Sequence, residues 1–341
     1  MCIRDRYLLA YLIPVLTFIA IYNKGIWSFT TIFFAFACVP VLDLVLGTNS
    51  ENHSKTEKEN RVSQGVFDIL LYLNVPILYS ILIFYIYQIS STPLATYELV
   101  GLILSTGTLM GGLGINVAHE LGHKQEFHKK LMSQLLLLPS LYMHFTLEHN
   151  RGHHKHVATP IDPATSRKGE NVYFFWLRSI SGTFINAWKI QLSLLKKADK
   201  GFVSLNNQLL IFTLFQLLFL LVLLKIGGVF ILLVFILTAL VSIILLETIN
   251  YIEHYGLLRQ KLKSGKYERV RPIHSWNSDH QFGRIILYEL TRHSDHHFLA
   301  NKKYQVLDSH SEAKHLPFGY PACMLLSLVP PVWFRVMDAR L

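Results

Sequence analysis

Six long stretches of this chain are apolar almost from end to end: 7–22, 27–46, 66–89, 97–117, 209–224 and 229–249. Inside a hydrocarbon layer a backbone has no water to bond, so such stretches fold as helices, and about 20 residues of helix cross the layer. Composition points the same way: 51% of the residues are hydrophobic and 16% are charged, against roughly 25% charged in a soluble domain. That balance excludes an ordinary soluble globule, and also a disordered chain, which is charge-rich and apolar-poor. The expected fold is all-α and integral to a membrane, with six transmembrane helices.

The connections alternate in character. Residues 22–27, 90–95 and 224–228 are short, with only Lys24 and Lys225 as charges, whereas 47–65 is polar and charged, and 118–207 and the tail from 250 are basic. With six spans, all three charged regions fall on one side, and the bias of basic loops makes that side cytoplasmic. The cap is therefore expected from 118–207 and 250–341, with 1–341 forming a single membrane-embedded domain. Segment 131–147 is apolar but carries Pro139 and His144, so it is expected to be re-entrant or interfacial rather than a seventh span. The net charge of +10 then belongs to cytoplasmic loops rather than to nucleic-acid binding. Cys2, Cys38 and Cys323 are widely spaced and form no CxxC, so a disulfide framework, a zinc ribbon and a rubredoxin-type iron site are not expected. MCIRDR leaves almost no leader before the first apolar run, so a native start further upstream is expected, and the run does not read as a cleaved signal peptide because the following spans would retain the protein anyway.

Within this apolar background lie 17 histidines, many in tight clusters. His119 and His123 close the fourth stretch in HELGHK, and residues four apart share one face of a helix. In EHNRGHH, His149 and His153 have that spacing, and His154 adds a neighbouring donor. His254 ends the sixth stretch in NYIEHYG, and in RHSDHH the residues His293, His296 and His297 converge on one face. One HxxxH pair is weak evidence for a metal. Four clusters at one membrane boundary are strong evidence, and nine imidazoles exceed the four to six donors of a single ion. Two ions with four or five donors each are expected. Imidazole suits iron, zinc, copper and nickel, so ligand type alone leaves the metal open. Glu120, Glu148, Glu253 and Asp295 adjoin the clusters and are candidates to orient the rings. His53, His128, His156, His310 and His315 are expected to be solvated or locally bonded. His144, His274 and His280 are intermediate, with a structural or orienting role favoured over ligation for His274.

HELGHK, EHNRGHH, NYIEHYG and RHSDHH, in that order, resemble the membrane alkane 1-monooxygenases of the histidine-box family. The resemblance extends to VLDLVLG around Asp43, to VATPIDPATSR and to HSWNS, and so covers nearly the whole chain. NYIEHYG is the element that separates alkane hydroxylases from other histidine-box enzymes. Thr291 stands where the family usually has Gln, and Ile273 where it usually has a polar residue, but neither departure removes a donor.

The resemblance implies a non-haem di-iron enzyme of a bacterial inner membrane, with its site on the cytoplasmic side. It implies O2-dependent hydroxylation of the terminal carbon of an n-alkane, the first step of alkane degradation. Electrons would come from rubredoxin and its reductase, and with no CxxC in this chain that donor is expected to be separate. The basic cap then offers a face for an acidic carrier. The alternatives are an acyl desaturase, a fatty-acid hydroxylase, a monooxygenase of aryl methyl groups and, in another class, a metal transporter. A transporter calls for ionisable residues along a mid-bilayer path, and only Asp43, Asp68, Glu98 and Glu247 interrupt the spans. Phe33, Ala35, Phe36 and Ala37 of the second stretch are candidate linings of the substrate channel. Enlarging Ala35 to Trp is expected to shorten the longest alkane converted, and an unchanged product range would remove Ala35 from the channel.

Overall fold

The structure, a computed structural model, describes residues 6–341; Cys2 and the rest of the opening pentapeptide lie outside the described residues. The described residues are mainly helical, with almost no strand. The helices include α1 (Tyr7–Asn23), α2 (Gly25–Leu46), α3 (Lys55–Ser63), α4 (Val66–Ser91), α5 (Thr96–Gly122), α6 (Phe127–Leu137), α7 (Val172–Lys197), α8 (Gln208–His254) and α9 (His293–Phe298). The named strands among the described residues are Trp276–Asn277 and Lys314–His315, which pair in parallel.

Four helices, α2, α4, α5 and α8, are long and apolar enough to cross a membrane, and α1 is a shorter apolar helix. The helix α8 holds both of the last two apolar stretches. Its backbone breaks at Gly228, with φ 66° and ψ −167°, a conformation open to glycine and strained for other residues. The stretch 131–147 holds α6, whose 11 residues reach only about 16 Å. Helix resumes at Phe145, so no span passes through this segment.

The chain divides into two compact units. The first comprises 6–38, 65–146 and 191–246, and the second 39–64, 147–190 and 247–341. In the first, α5 lies close against the later part of α8: a Cβ placed on Gly107 would stand 2.6 Å from Val241. The Tyr85 hydroxyl shares a buried hydrogen bond of 2.9 Å with Thr238 Oγ1. Glu98, an acid in an apolar helix, is used locally. Its carboxylate accepts from the N–H groups of Ala95 (2.8 Å) and Gly25 (2.7 Å), where the positive ends of α5 and α2 favour negative charge. Ser133 of α6 donates to Ala118 O at 2.6 Å, one residue before His119.

In the second unit, the fully buried guanidinium of Arg292 donates to the carbonyls of Leu307 (2.6 Å), Asn49 (3.2 Å) and Glu51 (3.1 Å). This ties the start of α9 to two separate stretches of chain. Trp276 Nε1 donates to Tyr255 O at 2.8 Å, which holds the end of α8. Asp43 accepts from the Gly283 N–H at 2.8 Å.

Gly107→Ala is expected to destabilise the protein by about 1–3 kcal/mol, because a methyl group cannot enter so close a helix contact without displacing Val241. Thermal unfolding in detergent checks this, and an unchanged midpoint would show that the contact is slack.

Candidate metal centre

The backbone decides which imidazoles meet. His119 and His123 lie at the end of α5, and their Nε2 atoms are 3.3 Å apart, as spacing of four on an α-helix provides. The second cluster departs from that pattern. Residues His149–His153 form a π-helical turn, in which bonds run between residues five apart. His149 therefore meets His154, Nε2 to Nε2 at 3.0 Å, and His154 in turn meets His296 at 3.1 Å. His153 joins a different set. The expectation that His149 and His153 act from one face is corrected accordingly: the wider turn moves the alignment from four residues to five. The cluster on α9 divides in the same manner, because His293 and His297 are one α-turn apart and His296 is not. His297 Nε2 is 2.8 Å from His293 Nε2, whereas His296 approaches His154.

Four imidazoles within the second unit, those of His153, His254, His293 and His297, present donor atoms that all lie within 4.8 Å of one another, and all four are buried. The Nε2 separations are 3.2 Å for His153–His297, 3.3 Å for His254–His293 and 2.8 Å for His293–His297. With imidazole–metal bonds of about 2.1 Å, donors at right angles stand about 3.0 Å apart and tetrahedral donors about 3.4 Å. The observed spacings match neighbouring ligands of one ion.

The Nδ1 atoms of His254 and His297 are buried without a hydrogen-bond partner. A buried polar atom left unpaired costs about 1–3 kcal/mol. Burial drives the imidazole of His297 well below its ordinary pKa, and the neighbouring histidines push further that way. The ring is neutral and the lone pair of its unprotonated nitrogen is available. Burial lowers His153 too, but the carboxylate of Asp162, with Glu148 and Glu247 behind it, more than compensates and holds it above the ordinary value. The donor set, its spacing and its dryness all fit a transition-metal ion.

Comparison with known proteins agrees. Residues 95–327 match the family model described as fatty acid desaturase. Alkane 1-monooxygenase 1 of Alcanivorax borkumensis is 38% identical over 343 residues, covering 99% of this chain and 84% of the relative. Alkane 1-monooxygenase of Ectopseudomonas oleovorans is 38% identical over 306 residues, 89% of this chain and 76% of the relative. The hydroxylase component of the Pseudomonas putida xylene/toluene monooxygenase is 29% identical over 341 residues, 96% of this chain and 86% of the relative. The chain belongs to the alkane 1-monooxygenase family.

Against that family background, the acids beside the clusters take varied positions. Glu120 pairs with Lys124 at 2.7 Å. Glu148 accepts from Asn186 Nδ2 at 2.7 Å, and burial, then Asp162, push its carboxyl up to about 8. Asp295 is bound by Lys302 (2.6 Å), His310 (2.7 Å) and the Asp308 N–H (2.8 Å). Glu253 accepts from the Tyr320 hydroxyl at 2.8 Å and stands 3.1 Å from Nε2 of His293, the donor nitrogen rather than the far one.

The acid that orients a ring from behind is Asp162, which sequence reasoning passed over. Its Oδ2 lies 2.8 Å from Nδ1 of His153 and also accepts from Thr165 Oγ1 at 2.6 Å. Its position inside VATPIDPATSR was the available signal. His53 pairs with Glu57, His128 with Tyr72, and His274 with the Arg271 N–H and Glu268. His280 meets Ser278 Oγ, and His144 is buried against Tyr142. In the second apolar helix, Phe33 is 63% exposed, and Ala35, Phe36 and Ala37 are half-buried on a π-helical turn, Phe34–Cys38.

Asp162→Asn is expected to weaken metal retention about 10–100-fold, the usual effect of losing the carboxylate behind a ligating histidine. Metal content after graded chelation measures it, and retention equal to wild type would show that His153 needs no such support.

Proposed function

We propose that this protein is an O2-dependent terminal hydroxylase of n-alkanes. Two irons would be held by the nine histidines His119, His123, His149, His153, His154, His254, His293, His296 and His297, with His153, His254, His293 and His297 together on one of them. The four-histidine set carries this reading, because it supplies a dry, preorganised, all-imidazole ligand field in a chain of apolar helices whose relatives are alkane 1-monooxygenases. Bound iron would supply O2 activation. The overall balance is RH + O2 + 2e⁻ + 2H⁺ → ROH + H2O, with both electrons brought by a separate rubredoxin.

The chain's own residues do the rest. Asp162 holds the His153 ring with Nε2 directed at the set. Burial of all four rings keeps bulk water from the reacting group. An alkane has no polar handle, so its binding rests on apolar contact worth about 0.8 kcal/mol per methylene. End-on entry would favour the terminal carbon by position rather than by bond strength. Six spans, a single membrane-embedded domain, a bacterial inner-membrane location and a cytoplasmic site complete the proposal, supported by the apolar helices and the basic loops between them. Phe33, Ala35, Phe36 and Ala37 remain proposed linings of the substrate channel, and Glu120, Glu148, Glu253 and Asp295 proposed supports of the ligand shell.

The transporter alternative is disfavoured by the acids within the apolar helices, which have local partners. Glu98 caps helix ends, Asp68 pairs with Lys129 at 3.3 Å, Asp43 accepts from Gly283 N–H, and Glu247 accepts from Ser179 Oγ at 2.5 Å.

The test is turnover of a C6–C16 alkane series with rubredoxin, its reductase and NADH, beside xylene and an acyl lipid. Formation of 1-alkanols, abolished in His154→Ala, is expected. Activity confined to xylene or to the acyl lipid would overturn the assignment.

A further inference from the structure

Between the metal-set residue His254 and His274, the chain folds into a small ribbon with an unusually one-sided charge. Residues 259–271 contain Arg259, Lys261, Lys263, Lys266, Arg269 and Arg271 against one acid, Glu268. The two sides of the ribbon are joined by backbone hydrogen bonds: Leu262 N–H donates to Lys266 O (2.8 Å), Glu268 N–H to Gln260 O (2.9 Å), and Lys261 and Tyr267 form an antiparallel bridge. Glu268 is used internally, since it accepts from the Gln260 N–H at 2.9 Å and pairs with His274 at 3.3 Å. Lys261, Lys263, Lys266 and Arg269 are exposed, and none has an acid within ion-pair distance among the described residues. Leu258 and Leu262 stand among them, 59% and 49% exposed.

The root of the ribbon is bound to the segment that follows His153. Arg259 is five residues from His254. Its N–H donates to Ala158 O at 2.7 Å, and its guanidinium donates to the carbonyls of Lys155 (3.0 Å) and Val157 (3.2 Å). The Val157 N–H in turn donates to His153 O at 2.6 Å. A short route of covalent and hydrogen bonds therefore connects the ribbon to two histidines of the four-histidine set.

We propose that the ribbon 258–271 is the docking platform for the electron carrier, a small acidic redox protein whose apolar patch seats on Leu258 and Leu262 inside a basic rim. This rests on the hydroxylase reading above, which needs two one-electron deliveries per O2, each oxidising one reduced carrier by one electron. Exposed cations steer an acidic partner and raise its on-rate, an effect that salt screens over about 10 Å at 0.1 M. An area this small suits the weak, transient contacts of electron transfer rather than a permanent complex. The attachment to His153 and His254 favours a redox protein over lipid head groups as the occupant.

The test uses the full chain in zwitterionic nanodiscs, with reduced rubredoxin as the probe. Combined Lys261→Glu, Lys263→Glu and Lys266→Glu substitution is expected to raise the KM for rubredoxin at least tenfold at low salt and to flatten its salt dependence. The kcat at saturation and hydroxylation driven by dithionite should stay within twofold of wild type. The triple Gln variant is expected to fall between the two, and its metal content reports folding. An unchanged KM with an unchanged salt slope overturns the proposal. So does a KM change that appears only when anionic lipid is added, which would assign the ribbon to the membrane surface. Loss of dithionite-driven turnover in wild type would instead be a failure of the hydroxylase reading itself.

Discussion

Four imidazole nitrogens facing one another in a dry pocket are the constraint on which the second unit is built. Neutral rings at such separations have lone pairs directed at the same small volume, and only a cation or shared protons make that arrangement favourable. Burial depresses protonation of His297, and the spacing of the four donors suits a cation held among them. The surrounding chain then has one task, to hold rings from three distant segments in register before the ion arrives.

That task explains features that look wasteful alone. A buried arginine is costly unless its donors are met. Arg292 meets three carbonyls and thereby fixes the helix that carries His293, His296 and His297. Asp162 is fully buried, and its charge is held by His153 and by the Thr165 hydroxyl. The π-turn at His149–His153 costs hydrogen-bond regularity but turns adjacent histidines toward different sets.

Much of this was legible in the residues. The apolar stretches gave the helices, including the break at Gly228, because hydropathy over about 20 residues is a strong signal. The histidine clusters stood out because most of their spacings repeat the helix period. Their division was not, since a π-turn leaves no mark in a pattern read at 3.6 residues per turn, and so His149 was paired with His153 rather than His154. Asp162 was missed because the carboxylate that orients a ligand need only be near in space, and it lies nine residues beyond His153. The 26-residue α7 was read only as part of a basic loop, because its charges outweighed its helical period in that reading. The ribbon at 258–271 appeared only as tail charge, because the inward turn of Glu268 depends on hydrogen bonds that sequence does not display.

The claim that two separable histidine sets each hold an ion is tested most directly by counting iron per chain in wild type, His297→Ala and His296→Ala. Each substitution strikes one set, on neighbouring positions of the same short helix. The account predicts two irons in wild type and one in each variant, with different spectra for the iron that remains. A single iron in wild type, or complete loss of iron from both variants alike, would contradict it.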